Sequence, residues 1–332
     1  MNILVTGGAG YIGSHTALEL LKRGHTVTIL DNLGKGHQET LDKIRKLAGE
    51  YEFLKLDLRD LDGLRSGLKG KYFDAVIHFA AYIEVGLSVQ EPAMFFENNV
   101  VGSQYLFQVL LENKVNNIIF SSSAAVYGTQ DIVPIKETAD KHPDSPYGET
   151  KLLMEQILES YCRYAGLNAI ALRYFNPAGA EGNIGERHYP ETHAIPRLLK
   201  ALSDDSFTFG VYGNDYDTPD GSCIRDFIHI YDLVEAHIDC IQYLNTDKGF
   251  HAFNVATGSG TSVLELIRTA EEVTGKKLNY KIQSRRAGDP ARLVADPTLI
   301  FEQMGWKAKY NIKDIIQSAW EFEKTRPASD YK

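Results

Sequence analysis

Short apolar runs alternate with longer segments of helical periodicity through the first half of the chain. The runs are rich in β-branched residues and predict strands at 3–6, 27–31, 53–57, 75–79, 118–121 and 169–173. Between them, apolar residues recur at the spacing of one helix face, in segments that include 12–22, 92–112 and 147–165. Strands that alternate with helices are typical of βαβ units, so we predict an α/β fold with a doubly wound parallel sheet.

The pattern changes after residue 175. Glycine, proline, asparagine and aspartate cluster at 182–190 and again at 213–221, which indicates loops around short elements. We therefore expect a first domain over 1–175 and a smaller C-terminal α/β domain over 176–332 that binds the substrate. Two further apolar runs, near 227–230 and 253–256, are candidates for strands that return to the first sheet.

Composition and charge narrow the class of protein. The 332 residues are 43% hydrophobic and 24% charged, which is typical of a folded globular chain and excludes collagen, coiled coil and disorder. Lysine and arginine number 35 against 44 acidic residues, so the net charge is −9. Nucleic acids and anionic membranes both require a basic surface, and we expect neither as a partner.

The cysteines and the N-terminus indicate a cytoplasmic protein. Cys162, Cys223 and Cys240 form no CxxC pair, which argues against a disulfide framework or a zinc knuckle and favours a reducing compartment. The first residues carry no basic segment ahead of an apolar run, and no apolar run reaches the length of a membrane span. The histidines show no HExxH or other metal spacing, so we predict no metal site.

A glycine-rich turn, GGAGYIG, follows the first strand directly and opens the first helix. Gly7, Gly10 and Gly13 permit a tight turn and a close approach of the backbone to a pyrophosphate. Asp31 ends the second strand 18 residues after Gly13, close to the ~20 expected for a carboxylate that binds the adenosine ribose. This order predicts a Rossmann-type dinucleotide-binding fold. Because Asp31 would repel a 2′-phosphate and only Lys35 is basic nearby, we predict NAD rather than NADP.

Two further groups of residues are candidates for catalysis, but their spacing alone does not decide their role. Tyr147 and Lys151 stand at i and i+4 on the first turns of a predicted helix, where they share a face, but this spacing is common by chance. Three serines, 121–123, end the fifth strand at the edge where ligands of open α/β sheets bind. Serines at a strand end are equally typical of turns and caps.

In this order, the motifs resemble those of the extended short-chain dehydrogenase/reductases and, within that group, the UDP-glucose 4-epimerase family. The resemblance covers essentially the whole chain and is carried by GYIGSHTALELL, LDNL, VIHFAA, ENNVVG, SSSAAVYG, SPYGETK, LRYFNPAGA, GNDYDTPDGSCIRDFIH and RRAGDP. It implies an isomerase of galactose metabolism that inverts carbon 4 of a UDP-hexose through a transient 4-keto sugar. It further implies tightly bound NAD that is regenerated in each cycle, and a homodimer joined through 92–112 and 147–165.

The resemblance also assigns catalytic roles. It implies that Tyr147 is the acid/base, that Ser123 hydrogen-bonds the sugar hydroxyl, and that Lys151 binds the nicotinamide ribose and lowers the pKa of the tyrosine. A free phenol has a pKa near ~10, so phenolate at neutral pH requires a pKa lower by about 3. The positive charges of Lys151 and of the oxidised nicotinamide ring have the right sign to lower it.

The cofactor contacts implied by the resemblance fall mainly in the loops that follow the first four strands. Ile83 stands where many family members carry a lysine, which puts a charged contact from that loop in doubt. Asp57 is expected to face the adenine amine or to cap a helix, and Asn98 to contact NAD or to cap a helix with Asn99. Besides the three glycines, the contacts are Tyr11, Ile12, Asp31, Asn32, Leu33, Gly34, Lys35, Gly36, Asp57, Leu58, Phe79, Ala80, Ala81, Tyr82, Ile83, Asn98, Tyr147, Lys151 and Phe175.

On the substrate side, Arg225 and Arg286 match the family's diphosphate-binding arginines, whose planar fork can donate two hydrogen bonds to phosphate. Their neighbours Asp226 and Asp289 could equally form local ion pairs with them. Where restrictive family members carry a tyrosine this chain has Leu293, so UDP-GlcNAc and UDP-GalNAc are candidate additional substrates. The full set implied for the substrate is Ser123, Tyr147, Asn176, His193, Tyr212, Arg225, Arg286, Asp289 and Leu293, and His193 replaces an asparagine of several relatives.

Related activities remain alternatives. Ala124 and Ala125 stand where 4,6-dehydratases carry an Asp-Glu pair, and methyl groups cannot transfer protons, which argues against dehydration. Another NAD-dependent sugar-nucleotide oxidoreductase would release NADH at each turnover. A non-catalytic NAD-binding module would not require Ser123, Tyr147 and Lys151 together, so their joint presence favours the enzyme.

Overall fold

The computed structural model describes residues 1–286 and 288–326, which fold into two compact units. Unit 1 comprises 1–128, 140–173 and 234–253, and unit 2 comprises 129–139, 174–233 and the described residues from 254 onward. The main division falls close to residue 175, but each unit takes one segment from the other half of the sequence. Within the described residues, no helix is long and apolar enough to cross a membrane.

Strands and helices alternate as far as the sixth strand. The elements in chain order are β1 (Asn2–Thr6), α1 (Tyr11–Lys22), β2 (Thr26–Leu30), α2 (Gln38–Ala48), β3 (Glu52–Leu54), α3 (Leu61–Leu68), β4 (Ala75–His78), α4 (Val85–Gln90), α5 (Pro92–Phe95), α6 (Ser103–Glu112), β5 (Asn117–Ser123), α7 (Pro146–Ala165) and β6 (Asn168–Tyr174).

The remaining elements are shorter on average and follow no single alternation. They are β7 (Asn176–Ala178), α8 (Ala194–Ser203), β8 (Phe209–Tyr212), β9 (Ile224–His229), α9 (Ile230–Thr246), β10 (Phe250–Val255), β11 (Gly260–Ser262), α10 (Val263–Thr274), β12 (Tyr280–Gln283), β13 (Arg292–Leu293), α11 (Thr298–Met304) and α12 (Ile312–Thr325).

The main sheet has seven strands in the order β10-β6-β5-β4-β1-β2-β3. β1 pairs in parallel with β2 and with β4, so that Val5 lies between Ile29 and Ile77, and all three side chains are fully buried. Parallel strands covered on both faces are continuously apolar, which is why the short runs in the sequence mark them well. The observed order contains the Rossmann arrangement and confirms the predicted α/β fold.

The two candidate returning strands have different partners. β10, which contains most of the run near 253–256, lies at the edge of the main sheet beside β6. The run near 227–230 forms β9, which belongs instead to a separate four-stranded sheet with β7, β11 and β13. The expectation that this run returns to the first sheet is therefore wrong, because an apolar run predicts a strand without specifying its partner.

Each unit has its own apolar core. In unit 1, helices α3, α6 and α7 cover the sheet with buried residues such as Leu64, Leu106 and Leu158. In unit 2, helices α8, α10 and α12 pack together through residues such as Leu198, Leu266 and Ile315. Burying such side chains contributes roughly 1.5–3 kcal/mol each, which stabilises the strands and loops that carry the functional residues.

Candidate active site

The glycine turn after β1 forms a cradle at the N-terminus of α1. Gly7 has φ +69°, and a Cβ there would lie only 2.7 Å from the Ala80 backbone nitrogen. A Cβ at Gly13 would overlap the carbonyl oxygen of Gly7. α1 begins at Tyr11, and its N-cap, Gly10, has no side chain to bond the first amides. Those amide donors and the positive end of the helix dipole form a site for an anion.

Asp31 lies beside this cradle, directly after β2. Its carboxylate is buried and accepts hydrogen bonds from the backbone nitrogens of Ala9, at 3.1 Å, and Leu33, at 2.8 Å. The loop 32–36 passes so closely that a Cβ on Gly36 would lie 2.6 Å from the Ala9 side chain. Lys35 forms an ion pair with Glu84 at 2.6 Å. The basic side chain that could oppose the predicted NAD preference is thus neutralised.

Asp57 is engaged in a turn. β3 ends at Leu54, three residues earlier than the predicted strand, so Asp57 does not end a strand. Its carboxylate accepts three hydrogen bonds from Arg59, at 2.8–2.9 Å, and one from the Asn32 side chain at 2.9 Å. These bonds hold the pKa of Asp57 well below its usual range. The aspartate thus links the loops that follow β2 and β3.

The predicted helix at 92–112 is interrupted where it approaches the loop after β4. A π-helical turn, Phe96–Gly102, separates α5 from α6, as is common at functional sites. Asn99 in this turn bonds both backbone groups of Tyr82, at 2.8 and 3.0 Å, and the hydroxyl of Thr150 at 3.1 Å. Asn98 donates to the Asn99 side chain at 3.0 Å. The pair joins the 79–83 loop to α7 rather than capping a helix.

The three side chains that are predicted to be catalytic, Ser123, Tyr147 and Lys151, lie close together in unit 1. α7 begins at Pro146 behind the Ser145 cap, and Tyr147 and Lys151 lie buried on its first two turns. Ser123 ends β5 and forms a hydrogen bond with Tyr147. The Lys151 ammonium donates to the Ser121 carbonyl at 2.6 Å and lies 5.8 Å from the centre of the Tyr147 ring.

The arginines of unit 2 already have partners. Arg225, on β9, pairs with Asp289 at 2.9 Å and donates to the Pro290 carbonyl at 3.0 Å. The Arg286 guanidinium stacks 3.7 Å from the centre of the Tyr212 ring and, by hydrogen bonding, lowers the pKa of that phenol. Both arginines therefore have guanidinium groups held in place by neighbours from separate strands or loops.

The remaining predicted substrate residues also lie in unit 2. Leu293 on β13 pairs with Arg225 on β9, and Asn176 on β7 donates to the Asp226 carbonyl at 3.1 Å. The Asp226 carboxylate is fully buried and accepts hydrogen bonds from the residues of 257–258 and not from an arginine. The Asp226 carboxylate therefore forms no ion pair with its neighbour Arg225, and Asp289 pairs with Arg225, 64 residues away in the sequence, and not locally.

Comparison with known proteins gives one consistent result. Residues 4–319 match the family described as GDP-mannose 4,6 dehydratase. The UDP-glucose 4-epimerase of Rhizobium meliloti is 44% identical over 98% of both chains, and that of Lactobacillus helveticus is 42% identical over 98% of both. The crystal structure of UDP-glucose-4-epimerase from Stenotrophomonas maltophila, with bound NAD and formylated UDP-arabinopyranose, superposes with a TM-score of 0.94 at 38% identity and 98% coverage of each chain.

The chain belongs to the UDP-glucose 4-epimerase family.

In this member of the family, burial is the largest influence on the pKa values of Tyr147 and Lys151 in the protein alone. It raises the pKa of Tyr147 to about 12, although the hydrogen bond with Ser123 acts in the opposite direction. Burial also lowers the pKa of Lys151 to about 7, against the attraction of Glu155. The predicted lowering of the tyrosine pKa is not produced by these side chains by themselves, because Lys151 bonds the Ser121 carbonyl and not the phenol.

A buried ion pair, Glu155–Arg173, lies beneath Tyr147 and Lys151. The sequence did not predict it. Glu155 lies one turn after Lys151 and accepts hydrogen bonds from Arg173 on β6, at 2.6–3.2 Å, and from Ser122 on β5. Arg173 also donates to the Tyr127 hydroxyl at 3.0 Å. These bonds attach α7 to the two strands beside it. A glutamate on the buried face of a helix was the available signal, but its partner lies on the following strand, 18 residues away, and no periodicity links the two residues.

His193 is the other substrate residue with an unexpected environment. Its Nδ1 lies 2.7 Å from the carboxylate of Glu186 and 3.1 Å from that of Glu191. Burial lowers the pKa of His193, but the carboxylates outweigh this effect and raise it well above its usual value. Phe175, expected to contact NAD, lies between β6 and β7 in unit 2.

Proposed function

We propose that the protein is an NAD-dependent UDP-hexose 4-epimerase that interconverts UDP-glucose and UDP-galactose through a transient 4-keto sugar. The observation that carries this proposal is the convergence of Ser123, Tyr147 and Lys151 at the carboxyl edge of a sheet whose first turn is built for a dinucleotide. A relative named UDP-glucose 4-epimerase, which is 44% identical over 98% of both chains, supports the same activity.

The residues of the first turn fit NAD. The amides at the start of α1 suit the pyrophosphate, and the fixed carboxylate of Asp31 suits the two hydroxyls of the adenosine ribose. The Lys35–Glu84 ion pair leaves no net positive charge there for a 2′-phosphate. When bound, NAD supplies the two-electron oxidation and reduction at carbon 4 of the sugar.

The protein's own part in the reaction is to move one proton and to hold the sugar. The Tyr147 oxygen takes the proton from the carbon-4 hydroxyl and later returns it, and Ser123 bonds the same hydroxyl. Because the phenol has a pKa of about 12 in the protein alone, it needs a positive charge nearby to act as a base at neutral pH. Glu155 favours the charged form of Lys151, which contributes to that charge.

The substrate diphosphate is expected to bind Arg225 and Arg286, with Tyr212, Asn176, His193 and Asp289 contributing to the nucleotide. The pocket is proposed to accept N-acetylated sugars as well, since Leu293 is smaller than a tyrosine. The UDP-Glc/GlcNAc 4-epimerase of Campylobacter jejuni, at 37% identity and a TM-score of 0.86, supports that possibility within the family.

The chain is proposed to act as a cytoplasmic homodimer. Val101 and Tyr164 are 39% and 78% exposed, on the π-helical turn and on α7 respectively, and give these segments of unit 1 apolar surface that a second copy could cover. The three cysteines form no disulfide, in keeping with a reducing compartment.

One incubation separates this proposal from its alternatives. Purified protein is mixed with UDP-galactose, or with UDP-GalNAc, in the absence of added cofactor, and the sugar nucleotides are separated. We expect UDP-glucose and UDP-GlcNAc, respectively, with no accumulation of NADH. Dependence on added NAD with stoichiometric NADH would indicate a dehydrogenase, and retention of NAD without turnover would indicate a binding module.

A further inference from the structure

Four side chains with metal-ligating atoms converge in the segment just before α8. Glu186, His188, Glu191 and His193 each bring one such atom, and the four atoms all lie within 4.8 Å of one another. The Glu186 carboxylate is 2.7 Å from Nδ1 of His193 and 3.0 Å from Nδ1 of His188. The four residues are called the 186–193 cluster below. None of the sequence motifs indicated it, because the spacing E-x-H-x-x-E-x-H is not a familiar metal pattern.

The two carboxylates of the cluster are withdrawn from solvent. Their side chains are only 7% and 10% exposed. One oxygen of Glu191, Oε1, accepts the backbone N–H of His193 at 2.9 Å. The other, Oε2, is buried and finds no hydrogen-bond partner among the described residues. A buried carboxylate oxygen without a donor is costly, and a bound cation would remove that cost.

An arginine that lines a small cavity beside Glu186 is paired with another carboxylate. Arg326 lines the same small cavity as Glu186 and pairs with Glu323 at 3.9 Å. The carboxylates raise the pKa of His193, so a cation that binds its Nδ1 displaces a proton and leaves the 186–193 cluster with two negative charges. A divalent cation matches that charge.

We propose that the 186–193 cluster is a structural binding site for a divalent transition-metal ion of the Zn²⁺ class. Zn²⁺ takes imidazole and carboxylate ligands at about 2.0–2.2 Å in a tetrahedron, so its ligand atoms lie roughly 3.3–3.5 Å apart. To admit the ion, the contacts of 2.7 and 3.0 Å around Glu186 need to open by roughly 0.3–0.8 Å, and the wider separations of the cluster, which reach up to 4.8 Å, need to close. Two imidazoles favour such a metal over Ca²⁺ or Mg²⁺, which prefer oxygen ligands.

The ligand set also determines what the ion would do. Four protein ligands complete a tetrahedron and leave no position for water or substrate, which is typical of structural zinc. The ion would tie the loop at 186–193 to the start of α8. With Nδ1 of each histidine on the metal, the ring proton is carried by Nε2, so each ring could donate a hydrogen bond at that atom and not accept one.

The test is metal binding by the full-length protein. Protein stripped with a chelator is titrated with Zn²⁺ in competition with a chromogenic chelator, for the wild type and for His188→Asn and Glu191→Gln. We expect one ion per chain in the wild type and an affinity at least about tenfold lower in each variant. Glu191→Gln retains an oxygen for the His193 N–H, and His142→Asn, an exposed histidine in unit 1, is the matched control that should bind like the wild type.

Two further measurements exclude binding at thiols or loss of folding. Co²⁺ should give the visible spectrum of a tetrahedral nitrogen and oxygen site without a sulfur charge-transfer band. Zn²⁺ should raise the melting temperature of the wild type and of His142→Asn but not of the cluster variants. Absence of stoichiometric binding in the wild type, a thiolate spectrum, or equal affinity in wild type and both cluster variants would overturn the proposal.

Discussion

The acid/base centre in unit 1 and the arginines in unit 2 are held in different ways. Tyr147 and Lys151 are at most 9% exposed, and the buried Glu155–Arg173 ion pair fixes the helix that carries them. Arg225 and Arg286 instead make contacts with Asp289 and Tyr212 that a bound diphosphate could replace. We infer that proton transfer uses preorganised groups, whereas recognition of the diphosphate uses groups that can exchange partners.

The largest expected effect follows from removal of the reacting oxygen of the acid/base centre. Tyr147→Phe removes the hydroxyl and keeps the ring, so we expect turnover to fall by roughly 10²–10⁴-fold while the protein still binds NAD. Turnover is measured by separating UDP-glucose from UDP-galactose, and bound NAD by its release on denaturation. Near-normal turnover would contradict the assignment of the tyrosine as acid/base.

The second prediction concerns the buried ion pair that supports the acid/base centre. Glu155→Gln leaves Arg173 buried without its anion, and breaking such a pair costs about 3–5 kcal/mol of unfolding free energy. The matched control is Glu159→Gln, four residues further along α7, whose pair with Arg163 is exposed and contributes only about 0–1 kcal/mol. Urea unfolding of both variants measures the difference. Equal losses would show that the buried pair has no special role.

The third prediction concerns pH. Lys151 has a pKa of about 7 in the folded protein against its usual 10.5, so the unfolded chain binds more protons between these values and wild-type stability rises with pH across that window. Lys151→Met removes this dependence. We therefore expect its unfolding free energy to exceed that of wild type by a margin that grows as pH falls from about 10 to about 7. Urea titrations across this range measure the margin, and a constant margin would contradict the account.

The fourth prediction addresses recognition in unit 2. Arg225→Ala removes a charged donor to the diphosphate, so we expect the KM for UDP-galactose to rise about ten- to a hundredfold with a smaller change in kcat. Arg268→Ala is the control, because that side chain is 61% exposed and lies 3.6 Å from Asp220. If the substitution lowered kcat about ten- to a hundredfold and left KM unchanged, Arg225 would act in the acid/base reaction and not in binding.

The smallest effect concerns selectivity. Leu293→Tyr adds bulk on β13, and we expect the ratio of kcat/KM for UDP-GalNAc to that for UDP-galactose to fall by about tenfold. Both substrates are assayed on the same preparation. Leu293→Met, which keeps a similar volume, should leave the ratio close to that of the wild type.

The same comparison explains what the sequence could predict. Val5, Ile29 and Ile77 lie in strands that are apolar on both faces, and Asp31 follows one of them at a fixed spacing from the glycine turn. Such information is local, so the Rossmann-type order and the positions of Ser123, Tyr147 and Lys151 could be deduced from the pattern together with the family resemblance.

Features that depend on distant partners could not be predicted. The Glu155–Arg173 pair joins α7 to β6, Asn99 bonds Thr150 from a π-helical turn, and β9 pairs with three short strands of unit 2. No periodicity marks such contacts, since each depends on tertiary structure. The 186–193 cluster is local in sequence, but it forms only because an irregular loop turns four side chains toward one point.

The most direct test of the account follows the hydrogen at carbon 4. Purified protein without added cofactor is incubated with UDP-galactose that carries deuterium at carbon 4, and the UDP-glucose formed is analysed by mass spectrometry and NMR. The account predicts that the product retains deuterium at carbon 4, because hydride leaves and returns within one active site. Loss of the deuterium to solvent or to free NADH, or a failure to form UDP-glucose, would contradict it.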